Sequence, residues 1–147
     1  MTNPTVPAGY HAVQPYLIVA GAEKALAFYA SAFGAKQRLC MKGKDGRVGH
    51  AEIEIGDSCV MMADEHPEGE IFGPNHYGGS AARLMIYAAD CDAVYNQALA
   101  AGATSVREPA DQPYGDRMAG ILDPFGYTWY IGTQIKQMSK EELENLG

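Results

Sequence analysis

Tyr16-Leu-Ile-Val19, then Ala22-Glu-Lys-Ala25-Leu-Ala-Phe-Tyr29, then Gly34-Ala35 form a series with a counterpart later in the chain: Leu84-Met-Ile-Tyr87, Asp90-Cys-Asp-Ala93-Val-Tyr95 and Gly102-Ala103. Each series reads as an apolar strand, an amphipathic helix and a glycine stop. The two Gly-Ala pairs lie 68 residues apart (102 − 34), close to half of the 147 residues. Self-similarity at that spacing points to an internal duplication.

The first helix is expected to present Leu26, Tyr29, Ala30 and Phe33 on one face, with Gly34 as a left-handed C-terminal cap. In the second, Asp90 is placed to cap the start, Val94, Ala98 and Ala101 share a face, and Gly102 follows the end. Three strands are expected after each helix: Lys36–Lys42, Gly49–Ile55 and Ser58–Asp64, then Thr104–Glu108, Arg117–Leu122 and Tyr127–Thr133. Asp45-Gly46 and Gly56-Asp57 supply hairpin turns in the first half, and Asp123-Pro-Phe-Gly126 supplies the last turn of the second. The order β-α-β-β-β is thus written twice. Ser139 with Glu142 three residues on is a capping-box pattern for a short polar helix over 139–146.

The expected fold class is α+β, two tandem βαβββ modules in one domain over 10–147. Module one takes about 10–65 and module two about 81–133. The Gly-, Pro- and Asn-rich segment 66–80 reads as a linker that also covers a pocket.

Composition narrows the function. Eleven Lys and Arg against eighteen Asp and Glu give a net charge of −7, so nucleic acid and anionic membrane surfaces are not expected partners. The first ten residues lack a signal peptide's basic and apolar regions, and no apolar run approaches membrane-spanning length. A cytoplasmic protein is expected. Cys40, Cys59 and Cys91 are odd in number and show no CxxC spacing, so neither a zinc site nor a disulfide framework is indicated.

Paired βαβββ modules resemble the vicinal-oxygen-chelate superfamily, which includes glyoxalase I, bleomycin- and fosfomycin-resistance proteins and extradiol dioxygenases. Gln14-Pro-Tyr-Leu-Ile-Val19, Ala27-Phe-Tyr-Ala30, Val48-Gly-His-Ala-Glu-Ile53, Met61-Met-Ala-Asp-Glu65, Tyr114-Gly-Asp-Arg117 and Asp123-Pro-Phe-Gly126 are similar to its PhnB-like branch. The resemblance covers roughly Tyr10 to Thr133. It implies curved mixed sheets around a cup-shaped cavity, and a homodimer. In metal-dependent members four strand side chains bind one divalent ion that chelates the substrate. The resemblance places those positions on Gln14, Met62, Arg83 and Tyr130. Only Gln14 carries a normal ligand atom. A thioether, a guanidinium and a neutral phenol suit a hard cation poorly, so no metal and no other cofactor is expected.

Period-two alternation gives an expected lining of Gln14, Tyr16, Ile18, Val60, Met62, Asp64, Arg83, Met85, Tyr87, Thr128 and Tyr130. Arg83 either binds an anionic group of a ligand or pairs with Asp64 or Glu52. Tyr114 and Arg117 either meet ligand at the mouth, or Arg117 pairs locally with Asp116. His50 and Glu52 share one strand face. They form either an acid-base pair, with Glu52 orienting His50, or a hydrogen-bonded strand histidine beside solvated carboxylates. His11, His66 and His76 are expected at the surface. Two functions follow. The first is a metal-independent binding protein for a small, planar or aromatic ligand. The second is an enzyme, a lyase, isomerase, hydrolase or dioxygenase-like protein, using His50 and Glu52 or a non-standard metal site.

Overall fold

The computed structural model describes residues 5–147, which divide into two compact units, the first ending at Gly78 and the second running from Gly79 to Gly147. In the first, strand β1 (Tyr16–Val19) leads into helix α1 (Ala22–Phe33) and strands β2 (Lys36–Lys42), β3 (Val48–Ile55) and β4 (Ser58–Asp64). The sheet order is β1-β4-β3-β2, with β1 parallel to β4 and the other pairs antiparallel. The second unit repeats the plan with β5 (Leu84–Tyr87), α3 (Cys91–Ala101), β6 (Thr104–Asp111), β7 (Asp116–Leu122) and β8 (Thr128–Gln134), in the order β5-β8-β7-β6. The fold is α+β, with the βαβββ module twice.

The helix termini follow the local signals. Gly34 adopts φ 67° and its N–H bonds Ala30, Asp90 accepts from the N–H of Ala93, and Ser139 and Glu142 form the capping box of α4 (Lys140–Glu144). The buried helix faces differ from the expected ones. Helix α1 buries Ala22, Ala25, Phe28, Tyr29 and Ala32, leaving Ala30 exposed and Leu26 and Phe33 half-buried. Alanines let the helix axis lie close to the sheet, and the two aromatic rings fill the space beside them. Helix α3 buries Cys91, Tyr95 and Ala98, with Val94 and Ala101 half-buried.

Most of segment 66–80, read from sequence as a linker, folds within the first unit, which runs to Gly78. It holds a bridge between His66 and Ile71, a 3-10 turn (Pro67–Gly69) and the short helix α2 (Pro74–Tyr77). Gly73 brings it onto β1. A Cβ there would stand 2.8 Å from the Ile18 carbonyl oxygen, and its N–H donates to Glu65 at 2.8 Å. Only glycine allows that approach.

The two modules align on a common hydrogen bond. In the first, a carboxylate oxygen of Asp64, the last residue of β4, accepts the N–H of Ala22 at the start of α1 (2.6 Å). In the second, the Thr133 hydroxyl on β8 accepts the N–H of Cys91 at the start of α3 (2.8 Å). The offset is 69 residues for both partners (91 − 22 and 133 − 64).

Candidate functional site

Strand register decides which side chains reach the open face of the first sheet. Tyr16 pairs with Met61, Ile18 with Ala63, Met61 with Glu52, and Met41 with His50. Residues opposite each other point the same way, so Tyr16, Ile18, His50, Glu52 and Met61 share the face turned away from α1. Leu17, Val19, Ala51, Ile53, Val60 and Met62 lie on the helix face and are buried. Met62 is wholly inaccessible and is therefore core, not lining. The open-face position belongs to its neighbour Met61.

His50 and Glu52, two residues apart on β3, are brought together as an ordered pair. His50 Nε2 lies 2.7 Å from one Glu52 oxygen, and the Tyr10 hydroxyl donates to the other at 2.5 Å. Glu52 is only 4% exposed, and those two partners satisfy what would otherwise be a costly buried carboxylate. Hydrogen bonds from Tyr10 and then His50 hold its carboxyl below the usual range. Arg38 lies over the Tyr10 ring, 4.5 Å from its centroid. Beyond His50, Nδ1 is 2.8 Å from the Tyr16 hydroxyl. Burial, and then the Glu52 charge, push the Tyr16 phenol up. With Glu52 ionised, the proton of a neutral imidazole sits on Nε2, so Nδ1 offers a lone pair and Tyr16 donates to it.

Tyr16 also lines a cleft of about 580 Å³ in the first unit, with Ile18, Val48, Ala63 and Ile71 as apolar wall and Arg47, Glu65 and His66 as polar edge. Arg47 forms a two-pronged bond to Glu68 (2.8 Å each) and so ties the β2–β3 hairpin to the 3-10 turn. That contact lowers the Glu68 carboxyl to about 2. Asp64 borders the cleft, but its oxygens accept Ala22 N–H and Val48 N–H (2.6 and 2.7 Å), which makes it an anchor of the fold. Gln14 is half-buried before β1, and its side-chain oxygen accepts the His11 N–H at 2.6 Å. His11, His66 and His76 are exposed, with His76 stacked on Phe72.

In the second unit Met85 pairs with Tyr130 and Tyr87 with Gly132, which places these side chains on the face away from α3. A Cβ at Gly132 would stand 2.5 Å from Met85 Cε and 3.5 Å from the Tyr87 ring, so the glycine makes room for both. Arg83 donates to the Tyr130 hydroxyl. Asp64 and Glu52, the carboxylates considered for Arg83, have their oxygens engaged within the first unit. The Tyr87 hydroxyl donates to buried Asp116 at 3.1 Å. Arg117 does not pair with Asp116. It grips Asp92 on α3 through two bonds (2.6 and 2.9 Å) and Asp111 at the end of β6 (2.9 Å). It is thus a structural clamp. Tyr114 is half-buried in the turn before β7, and Thr128 is half-buried at the start of β8.

The family's metal positions can be tested against these surroundings. By the 69-residue register Gln14 matches Arg83, and Met61 matches Tyr130, since each of the latter pairs with the first open-face residue of its parallel strand. The set is then an amide engaged by His11, a thioether, and a guanidinium bonded to a phenol. These donors do not fit a hard divalent ion. Among the described residues no group of three or more His, Cys, Asp or Glu side chains has metal-holding geometry.

Sequence reading missed Tyr10, Arg47 and Ile71. Tyr10 precedes the first strand in irregular chain, and Ile71 lies in the segment read as linker. For Arg47, the dipeptide Asp45-Gly46 marked the hairpin but not its ion pair with Glu68, 21 residues on.

A family model described as the Glyoxalase/Bleomycin resistance protein/Dioxygenase superfamily matches residues 10–131. An uncharacterized protein of Mycobacterium bovis is 35% identical over 136 residues, covering 90% of both chains. Similar solved structures include a gene product of Arabidopsis thaliana (24% identity, 83% of this chain and 98% of that one, TM-score 0.66). A PhnB protein of Bacillus cereus described as a putative 3-demethylubiquinone-9 3-methyltransferase is also similar (20%, 84% and 99%, TM-score 0.63). So is the fosfomycin resistance protein FosX of Listeria monocytogenes (13%, 90% and 97%, TM-score 0.65).

Proposed function

From the premise that the chain belongs to the glyoxalase/bleomycin resistance protein/dioxygenase superfamily, we propose that it is a small-molecule binding protein working without the family's metal ion. The ligand is flat and partly apolar, and it enters the cleft of the first unit. The observation that carries this reading is that cleft. Its volume of about 580 Å³ falls within the range of about 300–1,000 Å³ for small-molecule pockets, which are mostly apolar with a few placed polar groups. Tyr16, Ile18, Ala63 and Ile71 meet the first description, and Arg47 and His66 the second. Exposed Met85 and Tyr87 on the second sheet offer a further soft, aromatic surface. A role in resistance accords with the family's description.

The same reading has the protein acting in the cytoplasm as a homodimer, with no nucleic acid or membrane partner. Among the described residues no helix is long and apolar enough to cross a membrane. The outermost strands β2 and β6 leave mostly exposed residues on unpaired edges, which a second copy would protect.

Calorimetric titration with a panel of planar aromatic compounds tests the proposal. A micromolar binder is expected, weakened by Tyr16→Ala by roughly ten- to a hundredfold, the effect of removing a buried aromatic contact. Tyr130→Ala reports in parallel on the second face. A panel without binders, or binding indifferent to Tyr16→Ala, refutes the cleft as the site.

A further inference from the structure

We infer that Tyr16, His50 and Glu52 form a proton-accepting relay serving the cleft, and that its ligand is a weak oxygen acid, a phenol or enol, which gives up its proton on binding. The inference rests on the cleft reading and names the ligand class. The three residues come from two strands and lie in series. Glu52 is buried and bonded to His50 Nε2 (2.7 Å), His50 Nδ1 faces the Tyr16 hydroxyl (2.8 Å), and Tyr16 is 48% exposed on the cleft wall. A histidine kept only for packing needs no carboxylate fixing one nitrogen and no solvent-facing phenol on the other. Tyr16 is the one member that touches the cleft, so protons reach His50 through it.

The groups around His50 are few. Tyr16 comes from β1, Met41 from β2 and Glu52 from β3 itself, while Met61 of β4 lies beside Glu52. One step away, Tyr10 and Cys59 face Glu52, and Arg38 covers Tyr10. No second carboxylate competes for the imidazole among these neighbours.

The transfer balances without a co-reactant. The ligand O–H bond breaks and its electron pair stays on the ligand oxygen. That proton joins Tyr16 Oη as the tyrosine's own proton passes to His50 Nδ1. The resulting imidazolium keeps its Nε2–H on the Glu52 carboxylate at 2.7 Å. Tyr16 remains neutral throughout, as burial and the Glu52 charge require of it.

The experiment uses the full chain with 4-nitrophenol, whose phenolate is yellow, and 4-nitroanisole, which has no proton to give. At a pH where free 4-nitrophenol is mostly protonated, the phenolate fraction of the bound form is expected to exceed that of the free form by roughly tenfold. Calorimetry in two buffers of different ionisation enthalpy should show no proton released, because it stays on His50. At saturating 4-nitrophenol, His50→Gln and Tyr16→Phe should lose the yellow band, with folding checked by circular dichroism. The phenolate band and the two-buffer measurement need only the natural sequence, and together they decide the matter even if a variant fails to fold. If both probes bind but bound 4-nitrophenol stays protonated, or its proton appears in the buffer, the relay is refuted and the cleft stands. If neither probe binds at millimolar concentration while other planar compounds do, the relay is refuted and the cleft stands; if no planar compound binds, the cleft reading falls and the relay with it.

Discussion

Asp64→Ala separates a side chain that holds the fold from one that holds a ligand. Its two oxygens accept the N–H of Ala22, the first residue of α1, and of Val48, the first of β3, at 2.6 and 2.7 Å. The helix has no cap of its own, because Gly21 stands at its N-cap with no side-chain hydrogen bond. Hydrogen bonds to a charged acceptor contribute about 1.5–3 kcal/mol each. The two share one half-buried carboxylate, so they do not add in full, and water partly replaces it after truncation. The expected loss is about 3 kcal/mol. For a chain of this size that lowers the melting temperature by about 10 °C, and in urea it lowers the midpoint by about 1.5 M at unchanged slope. Urea unfolding followed by far-UV circular dichroism measures it. Asp64→Asn should fare little better, since an amide can face only one of the two N–H donors with its oxygen. A loss under about 1 kcal/mol, accompanied by weaker binding of a cleft ligand, would refute the anchoring role and return Asp64 to the ligand.

Asp123→Ala should cost about 4 kcal/mol. One buried carboxylate accepts from Phe125 N–H, Tyr127 N–H and the Trp129 indole at 2.8–3.0 Å, and the fluorescence of Trp129, the single tryptophan, reports the unfolding directly. Arg117→Met should shift the melting temperature down by several degrees without altering ligand affinity in the cleft, because its contacts are to Asp92 and Asp111. Unchanged stability would remove its role as a clamp. Glu52 gives a pH dependence of known sign. Its folded-state pKa is lowered, chiefly by Tyr10 and then by His50, so its stabilisation is present above the unfolded value of about 4.5 and is lost as pH falls through the folded one. Urea midpoints of the natural protein and of Glu52→Gln should therefore converge as pH drops below about 4.5. A gap that persists or widens there contradicts the assignment.

The order of elements was legible because its signals are local. Asp45-Gly46, Asp123-Pro-Phe-Gly126, Gly34 and Asp90 each fix a turn or a cap through their own backbone and side chain. What depends on pairing between distant strands was not legible. Met61 and Met62 are indistinguishable in sequence, and only the register with Tyr16 and Leu17 sends one to the open face and the other to the core. His50 and Glu52 were readable as neighbours, since alternation puts them on one face. Tyr10, which completes the carboxylate's shell from 42 residues away, left no periodic trace. The pairing of Arg117 with Asp92 was missed for a similar reason. The adjacent Asp116 was the obvious partner in sequence, whereas α3 brings Asp92 within 2.6 Å.

The contact between Arg47 and Glu68 ties together two edges of the cleft, and both side chains are substantially open to solvent. A molecule that enters must outlast this tether or wait for it to open. Ions in solution screen such an exposed pair, so traffic through the mouth should quicken as salt is added, at both entry and exit. Affinity for an uncharged guest would then change less than its residence time. The pair would set how long a visitor stays more than how tightly it is held.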